Sequence, residues 1–233
     1  MAQSLIDKNG AEMIYIPAGE FWMGSPEGEG GDNEHPRHKV YLDAYYIHKH
    51  VVTFEQYDKF CEATNRIKPS DYGWGRGNRP VIDVSWEDAK SYAEWVGCRL
   101  PTEAEWEKAC RAGSEKKYSF GDDPSALGEY AWFLDNSGNR SHPVGEKKPN
   151  AWGIYDMHGN VWEWCADWYD RDYYVTSPRN NPTGPSSGRL RVLRGGAWND
   201  YLPNDLRSAL RYMDRPTERG FDRYGFRCVR SAK

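Results

Sequence analysis

Apolar and polar positions alternate through residues 38–53, "HKVYLDAYYIHKHVVT", with Val40, Leu42, Ala44 and Tyr46 on one side, and this period of two predicts a strand. Ahead of it, "MIYIPAGEFWMG" at 13–24 mixes apolar and turn residues as a short pair of strands does, and "SPEGEGGDNEHPR" at 25–37 reads as an exposed acidic loop. The period then changes to that of a helix. Thr53-Phe54-Glu55-Gln56 offers a hydroxyl to cap a first turn and a Gln side chain to reach back, after which Phe54, Tyr57 and Cys61 share a face. Ser85-Trp86-Glu87-Asp88 opens a second helix with Trp86, Ala89, Ala93 and Val96 inward and a stop at Gly97. Thr102-Glu103-Ala104-Glu105 repeats the capping box after Pro101, with Gly113 beyond its end. From residue 114 onward helical period is lost, and turn dipeptides alternate with aromatics as in "NSGNRSHPVGEKKPNAWGIYD" and "TSPRNNPTGPSSGRLRV". That pattern predicts short strands tied by long ordered loops. Such loops are uncommon unless they are functional, so the second half is where a site belongs. No repeat or linker divides the chain, and residues 1–233 are read as a single domain.

Composition sharpens the fold class. Mean hydropathy is low at -0.92, yet 11 Trp and 16 Tyr mean that the core is built largely from rings whose polar tips need partners. With 23 Gly and 14 Pro, long helices are few. The prediction is an α+β fold of low regular secondary structure, with a few short helices and small twisted antiparallel sheets. The balance of 31 Lys+Arg against 35 Asp+Glu leaves a formal charge of -4, so no sequence-wide field would gather nucleic acid or an anionic membrane. "MAQSLIDKNGAEMIYIPAGEF" shows no signal peptide and no stretch approaches membrane-spanning length, which favours the cytoplasm, although a chain trimmed of its leader would read the same. Cys61, Cys98, Cys110, Cys165 and Cys228 are an odd set without close pairing, as reduced and mostly buried thiols are.

Candidate chemistry is concentrated in "YDMHGNVWEW" at 155–164. Asp156 and Glu163 supply hard carboxylate oxygens on either side of a glycine turn, and Gly159 and Val161 can present main-chain carbonyls between them, which is the donor mixture calcium takes. The other reading of the same residues is a turn capped by Asp156 and an ion pair between Glu163 and an arginine. His35-x-x-His38 and His48-x-His50 lack a nearby cysteine and a second pair at zinc-module spacing, and on a strand His48 and His50 would simply face one side. Cys98 and Cys110 flank a capped helix start, where a thiol pKa can fall, and Cys165 follows Trp-Glu-Trp, but no base is identifiable beside any of them, which makes them buried inert thiols. There is neither a nucleophile elbow nor a phosphate-binding glycine loop.

"IPAGEFWMGS" at 16–25, "VSWEDAKSYAEWVGCRLPTEAEWEKACRAG" at 84–113, "HPVGEKKPNAWGIYDMHGNVWEWCADW" at 142–168, "RVLRGGAW" at 191–198 and "YGFRCVR" at 224–230 together resemble the formylglycine-generating enzyme, or sulfatase-modifying factor, family. The resemblance runs through nearly the whole chain. It implies a fold related to C-type lectins, and Ca²⁺ held by the positions that are Asp156, Gly159, Val161 and Glu163 here. A second calcium loop of the family falls near Trp132 to Gly138, where this sequence is shortened. Members that oxidise a substrate cysteine hold copper with two cysteines of the last segment, and registering the tail by Arg211, Pro216 and "GFRC" puts Pro203 and Ser208 at those positions. Neither is a soft sulfur ligand, and residues 166–227 contain no cysteine, so no copper is expected. Cys228 matches a cysteine that is structural in the family, and Ala93 stands at its usual disulfide partner.

The tail also resembles the variable regions of diversity-generating retroelement proteins, which display changeable side chains on this kind of fold. Trp198, Arg207, Ser208, Ala209, Arg211, Pro216, Gly225 and Phe226 look fixed. Interleaved with them are Asn199, Asp200, Tyr201, Asn204, Asp205, Leu206, Leu210, Tyr212, Met213, Asp214, Phe221, Asp222, Arg223 and Tyr224. Rings, Asp and Asn are residues that recognition loops favour. The reading is a non-catalytic, calcium-stabilised binding protein whose face at 198–227 takes a protein, peptide or glycan. Tyr201, Tyr212, Phe221 and Tyr224 serve as aromatic anchors, with Trp162 and Trp198 beneath them. The competing classes are a formylglycine-generating oxidoreductase and an accessory subunit of a pathway enzyme.

Overall fold

Each of the three capping signals opens a helix in the computed structural model, which describes residues 4–220 and 222–232. The chain runs β1 (Ser4–Ile6), β2 (Glu12–Ile16), β3 (Gly19–Met23), β4 (His38–Leu42), β5 (Tyr45–His48), α1 (Phe54–Thr64), α2 (Trp86–Trp95) and α3 (Glu103–Arg111). Then follow α4 (Leu127–Tyr130), α5 (Leu134–Ser137), β6 (Trp162–Trp168), α6 (Tyr173–Thr176), β7 (Arg191–Arg194), β8 (Tyr212–Asp214), β9 (Tyr224–Gly225) and β10 (Val229–Ser231). The Thr53 hydroxyl accepts from Gln56 N at 3.3 Å while Gln56 Oε1 accepts from Thr53 N at 3.0 Å. Ser85 with Asp88 and Thr102 with Glu105 repeat the reciprocal pair. Each such cap is worth about 1 kcal/mol. α1 and α3 end at Asn65 and Ala112 in the left-handed region, and α2 at Gly97, whose φ is +78°.

The alternating stretch at 38–53 is two strands. β4 keeps Val40 and Leu42 inward, the chain steps off at Asp43 and Ala44, and Tyr45 and Ile47 rather than Ala44 and Tyr46 are then buried. A slip of one residue turns every following side chain to the other face. It lets β4 pair with β3 while β5 joins a sheet of order β1-β2-β5-β10. β2 and β3 are therefore not partners of one another; Pro17 between them has no N–H to give to a ladder. The third sheet, β8-β7-β6-β9, also departs from the expectation, because β6 and β9 are parallel, with Trp162 opposite Tyr224 and Glu163 opposite Gly225.

β6 divides the interior. Trp162 and Trp164 face a cluster built on α1 and α2 with Phe54, Phe60, Tyr92 and Phe226, while Cys165 faces a second cluster with Trp106, Tyr45 and Ile47. Flanked on both edges and buried on both faces, "WEWCADW" is apolar except for Glu163 and Asp167, whose buried carboxylates are hydrogen-bonded to Arg227 and to Glu103 N. A third, smaller cluster gathers Tyr118, Leu127, Ala131, Phe133 and Leu206 beneath the C-terminal segment.

Candidate functional site

The C-terminal segment is held from the inside by arginines. Arg211 places two nitrogens on the Glu103 carboxylate at 2.7 and 2.9 Å, and Arg207 does the same to Glu34 at 2.7 and 2.8 Å. Arg194 pairs with Glu107 and donates to the carbonyls of Ser208, Ala209 and Leu210. Glu103 and Glu107 both come from α3, buried along its whole length, so the "PTEAEWEKACR" helix serves as the anchor of the tail. Glu34 corrects the expectation for residues 25–37. It is 1% exposed and accepts from the Ser25 hydroxyl at 2.5 Å as well as from Arg207.

Outside this lock the tail faces solvent. Tyr201 is 68% exposed, Leu202 51% and Tyr212 37%; Asn204 is exposed, and Asn199, Asp200, Asp205, Leu210, Met213, Asp214, Asp222 and Arg223 are half-buried. Leu206 and Tyr224 are not on this face. Leu206 fills the third cluster, and Tyr224 is buried with its hydroxyl donating to Asp214 at 2.8 Å. Alternation along an irregular segment does not reveal which way each residue points, and these two point in. Phe221 lies outside the described residues. Trp198 is buried and donates through Nε1 to Asp222 O at 2.9 Å, and Trp162 lies beneath Tyr212 with ring centroids 5.0 Å apart and planes tilted by 32°. Two residues not foreseen extend the aromatic face: Trp74 meets Trp198 edge-on at 5.3 Å, and Tyr72, 42% exposed, lies beside Trp74. Two rings within the glycine-rich "DYGWGRG" loop were the signal in the sequence.

The 155–164 motif is a tightly packed turn directly behind that face. Gly159, with φ +75°, lies so close to the loop at 132–138 that a Cβ would stand 2.2 Å from Trp132 O, and Asn160 N donates to the same oxygen. Glu163 does pair with an arginine: Arg227 bonds its two oxygens at 2.6 and 2.7 Å, and Trp106 Nε1 bonds Oε2 at 2.9 Å. Oε1 keeps a free lone pair. Asp156 is fully buried; its oxygens accept from Gly145 N at 2.9 Å and weakly from Asn160 Nδ2, and no lysine or arginine among the described residues bonds it. Burial pushes its pKa up to about 6. The side-chain and main-chain donors of this turn are all hard oxygens, the kind calcium takes, and Asp156 lacks a bonded counter-charge; Gly159 O accepts from Val161 N at 2.9 Å. In the shortened second loop, Asp135 is exposed and Leu134 N is tied to Asp200 O.

The remaining candidates separate. His35 and His38 bond different carbonyls, those of Glu29 and Pro36. His50 lies beside Tyr155, whereas His48 is buried on Asp7. All five cysteines are free and four are buried. The expectation that no base stands beside a cysteine is corrected twice. Cys110 Sγ is 3.9 Å from His158 Nε2, and Cys98 Sγ lies within 4.8 Å of ligand atoms of His48 and Asp7, contacts that chain separation hides. Burial lifts the Cys110 thiol to about 12 and lowers His158 to about 4, so that pair stays neutral. Pro203 and Ser208 both pack on residues 117–118: Pro203 O accepts from the Tyr118 hydroxyl, and Ser208 N donates to Lys117 O.

A family model described as the sulfatase-modifying factor enzyme 1-like domain matches residues 2–232. The chain belongs to this family. Its α+β architecture is the C-type lectin-like fold of formylglycine-generating enzymes. It is 36% identical over 245 residues to the serine/threonine-protein kinase pkn1 of Chlamydia caviae, covering 95% of this chain and 38% of that protein. The chain thus spans about two fifths of that relative's length. The formylglycine-generating enzyme of Streptomyces coelicolor is 34% identical, over 94% of this chain and 89% of the enzyme. Among solved structures, PvdO from Pseudomonas aeruginosa superposes with a TM-score of 0.87 at 32% identity, covering 99% of this chain and 98% of that one. Treponema denticola variable protein 1 gives 0.84 at 28% identity, covering 100% and 99%. No helix of this family member, among its described residues, is long and apolar enough to cross a membrane.

Proposed function

We propose that this sulfatase-modifying factor family member is a non-catalytic recognition protein whose C-terminal face binds a protein or peptide. The observation that carries the reading is the exposure of Tyr201, Leu202, Tyr212 and Tyr72 in front of Trp74, Trp162 and Trp198, on a segment locked from behind by Arg194, Arg207 and Arg211. Rigid rings presented on a fixed backbone lose little entropy on binding and are the residues that dominate protein interfaces. Likeness to a variable protein over the full chain supports display of changeable side chains. A reverse transcriptase and a near-copy of the 198–227 coding segment beside the gene would be its genetic counterpart. In this reading calcium is held by Asp156 and Glu163 with the carbonyls of Gly159 and Val161, and supplies the positive charge that the buried Asp156 lacks.

The test is a protein and peptide array, with a glycan array beside it, probed with wild type and with a Tyr201→Ala/Tyr212→Ala double variant. Loss of the protein hits in the variant is expected. Identical profiles end the proposal, and glycan hits alone redirect it. The enzymatic alternative is favoured by the identity to a formylglycine-generating enzyme. It is opposed by Pro203 and Ser208, because copper(I) selects sulfur ligands. Copper-loaded protein incubated with a Cys-x-Pro-x-Arg peptide should leave the peptide mass unchanged; conversion would make the chain an oxidase.

A further inference from the structure

Asp7 in the turn after β1, His48 at the end of β5 and Cys98 between α2 and α3 converge from three parts of the chain, each placing one ligand atom within 4.8 Å of the others. His48 Nε2 and Asp7 Oδ2 are 3.1 Å apart. The other ring nitrogen, Nδ1, is buried with no hydrogen-bond partner among the described residues, and His48 is 1% exposed. We propose that these three side chains form a binding site for one thiophilic divalent cation of the zinc class.

The donor chemistry selects the metal. A carboxylate oxygen, an imidazole nitrogen and a thiolate are the three ligand types zinc accepts, whereas calcium and magnesium take oxygen alone. Ligands at 2.0–2.3 Å on a tetrahedral ion lie about 3.3–3.8 Å from one another, so the trio closes on an ion through side-chain shifts on the order of 1 Å. The carboxylate is already oriented, because Asp7 Oδ1 accepts from Asn9 N at 2.8 Å and Ala11 N at 2.9 Å, the kind of outer contact that fixes metal ligands. Cys98 is only partly buried, which gives an ion a way in. Once bound, the ion would tie the β1–β2 turn to β5 and to the connection ahead of α3, so its binding adds to folding stability. Cys228 lies across the ladder from His48, whose N–H donates to Cys228 O at 2.9 Å, and it serves as the comparison thiol.

The full chain, stripped with a chelator, is titrated with Co²⁺ and then with Zn²⁺. A sulfur-to-cobalt charge-transfer band, visible bands of tetrahedral intensity displaced by zinc, and one retained zinc per chain after dialysis are expected. Cys98→Ser should abolish the charge-transfer band with an unchanged circular dichroism spectrum. Asp7→Asn and His48→Gln should weaken zinc binding tenfold or more, and Cys228→Ser should keep the band. Absence of the band in wild type, or its survival in Cys98→Ser, overturns the site. Should His48→Gln fail to fold, the Cys98→Ser spectrum still decides.

Discussion

Replacing Glu34 by Gln removes one charge from a buried pair while keeping the side chain's size, leaving the Arg207 guanidinium, 7% exposed, with an uncompensated charge in the interior. Breaking such a pair costs about 3–5 kcal/mol. For a chain of this length each kcal/mol moves the melting temperature by about 2–4 °C, so a drop of roughly 6–20 °C follows. Urea unfolding at constant slope measures the free energy, with Glu115→Gln as control. Glu115 pairs with Arg37 but is 64% exposed, and such surface pairs contribute about 0–1 kcal/mol. The effect should also depend on pH. Burial alone would raise the Glu34 pKa, but hydrogen bonds from Arg207 and Ser25 outweigh it and hold the group below its ordinary value of 4.5. A depressed folded value gives stability that is complete above the unfolded value and is lost as pH falls through the folded one. The gap between wild type and variant should therefore be widest near neutrality and narrow in acid. A loss no larger than that of Glu115→Gln, or one that does not shrink in acid, refutes the arginine lock.

Leu206→Ala should cost about 2–5 kcal/mol in urea unfolding because it opens a cavity in the third cluster, whereas Tyr201→Ala should stay within about 0.5 kcal/mol. Equal losses would mean that the division into inner and outer residues is mistaken. Asp156 titrates in the opposite sense to Glu34: its raised folded pKa, about 6 against 3.8, makes the calcium-free chain lose on the order of 3 kcal/mol as pH climbs through that window. In chelator at pH 7, Asp156→Asn should accordingly melt higher than wild type and should no longer respond to added calcium; a calcium-dependent melt in the variant rules out this ligand. Gly159→Ala meets Trp132 O at 2.2 Å in a left-handed conformation and should lower the melting temperature by about 4 °C or more, at roughly 2 kcal/mol or more; an unchanged melt would show the 132–138 loop packed elsewhere.

What the sequence revealed was local. Thr53 with Gln56, Ser85 with Asp88 and Thr102 with Glu105 announce their helices because both halves of each cap lie within four residues. The site depends on contacts at long separation. Glu34 and Arg207 are 173 residues apart, Glu103 and Arg211 108, and nothing in the period of an acidic loop or a capped helix marks which carboxylate an arginine will reach. Burial within the tail was half legible for the same reason. Arg207 and Arg211 read as fixed and are inside, but Leu206 and Tyr224 follow the same irregular backbone, and their direction is set by the third cluster and by the parallel pairing of β9 with β6. Asp7, His48 and Cys98 follow no zinc-module spacing and meet only because β1, β5 and the end of α2 fold together.

The lock also explains how such a tail can vary at its surface without losing its shape. Inside, Arg194, Arg207 and Arg211 are coupled through α3 and the 25–37 loop, so a change at any one leaves a buried charge unpaired and costs several kcal/mol. Outside, Tyr201, Leu202, Asn204 and Tyr212 face solvent, where a substitution typically moves stability by no more than about 0.5 kcal/mol. The backbone carbonyls of Ser208, Ala209 and Leu210 are held by Arg194, an interaction that makes no demand on the outward side chains beside them. In the proposed reading, stability and recognition therefore draw on different residues of one segment. The two positions matched to copper ligands divide along the same line: Ser208 is fully buried beside the lock, whereas Pro203 opens a 3-10 turn and is half-buried between exposed Leu202 and Asn204.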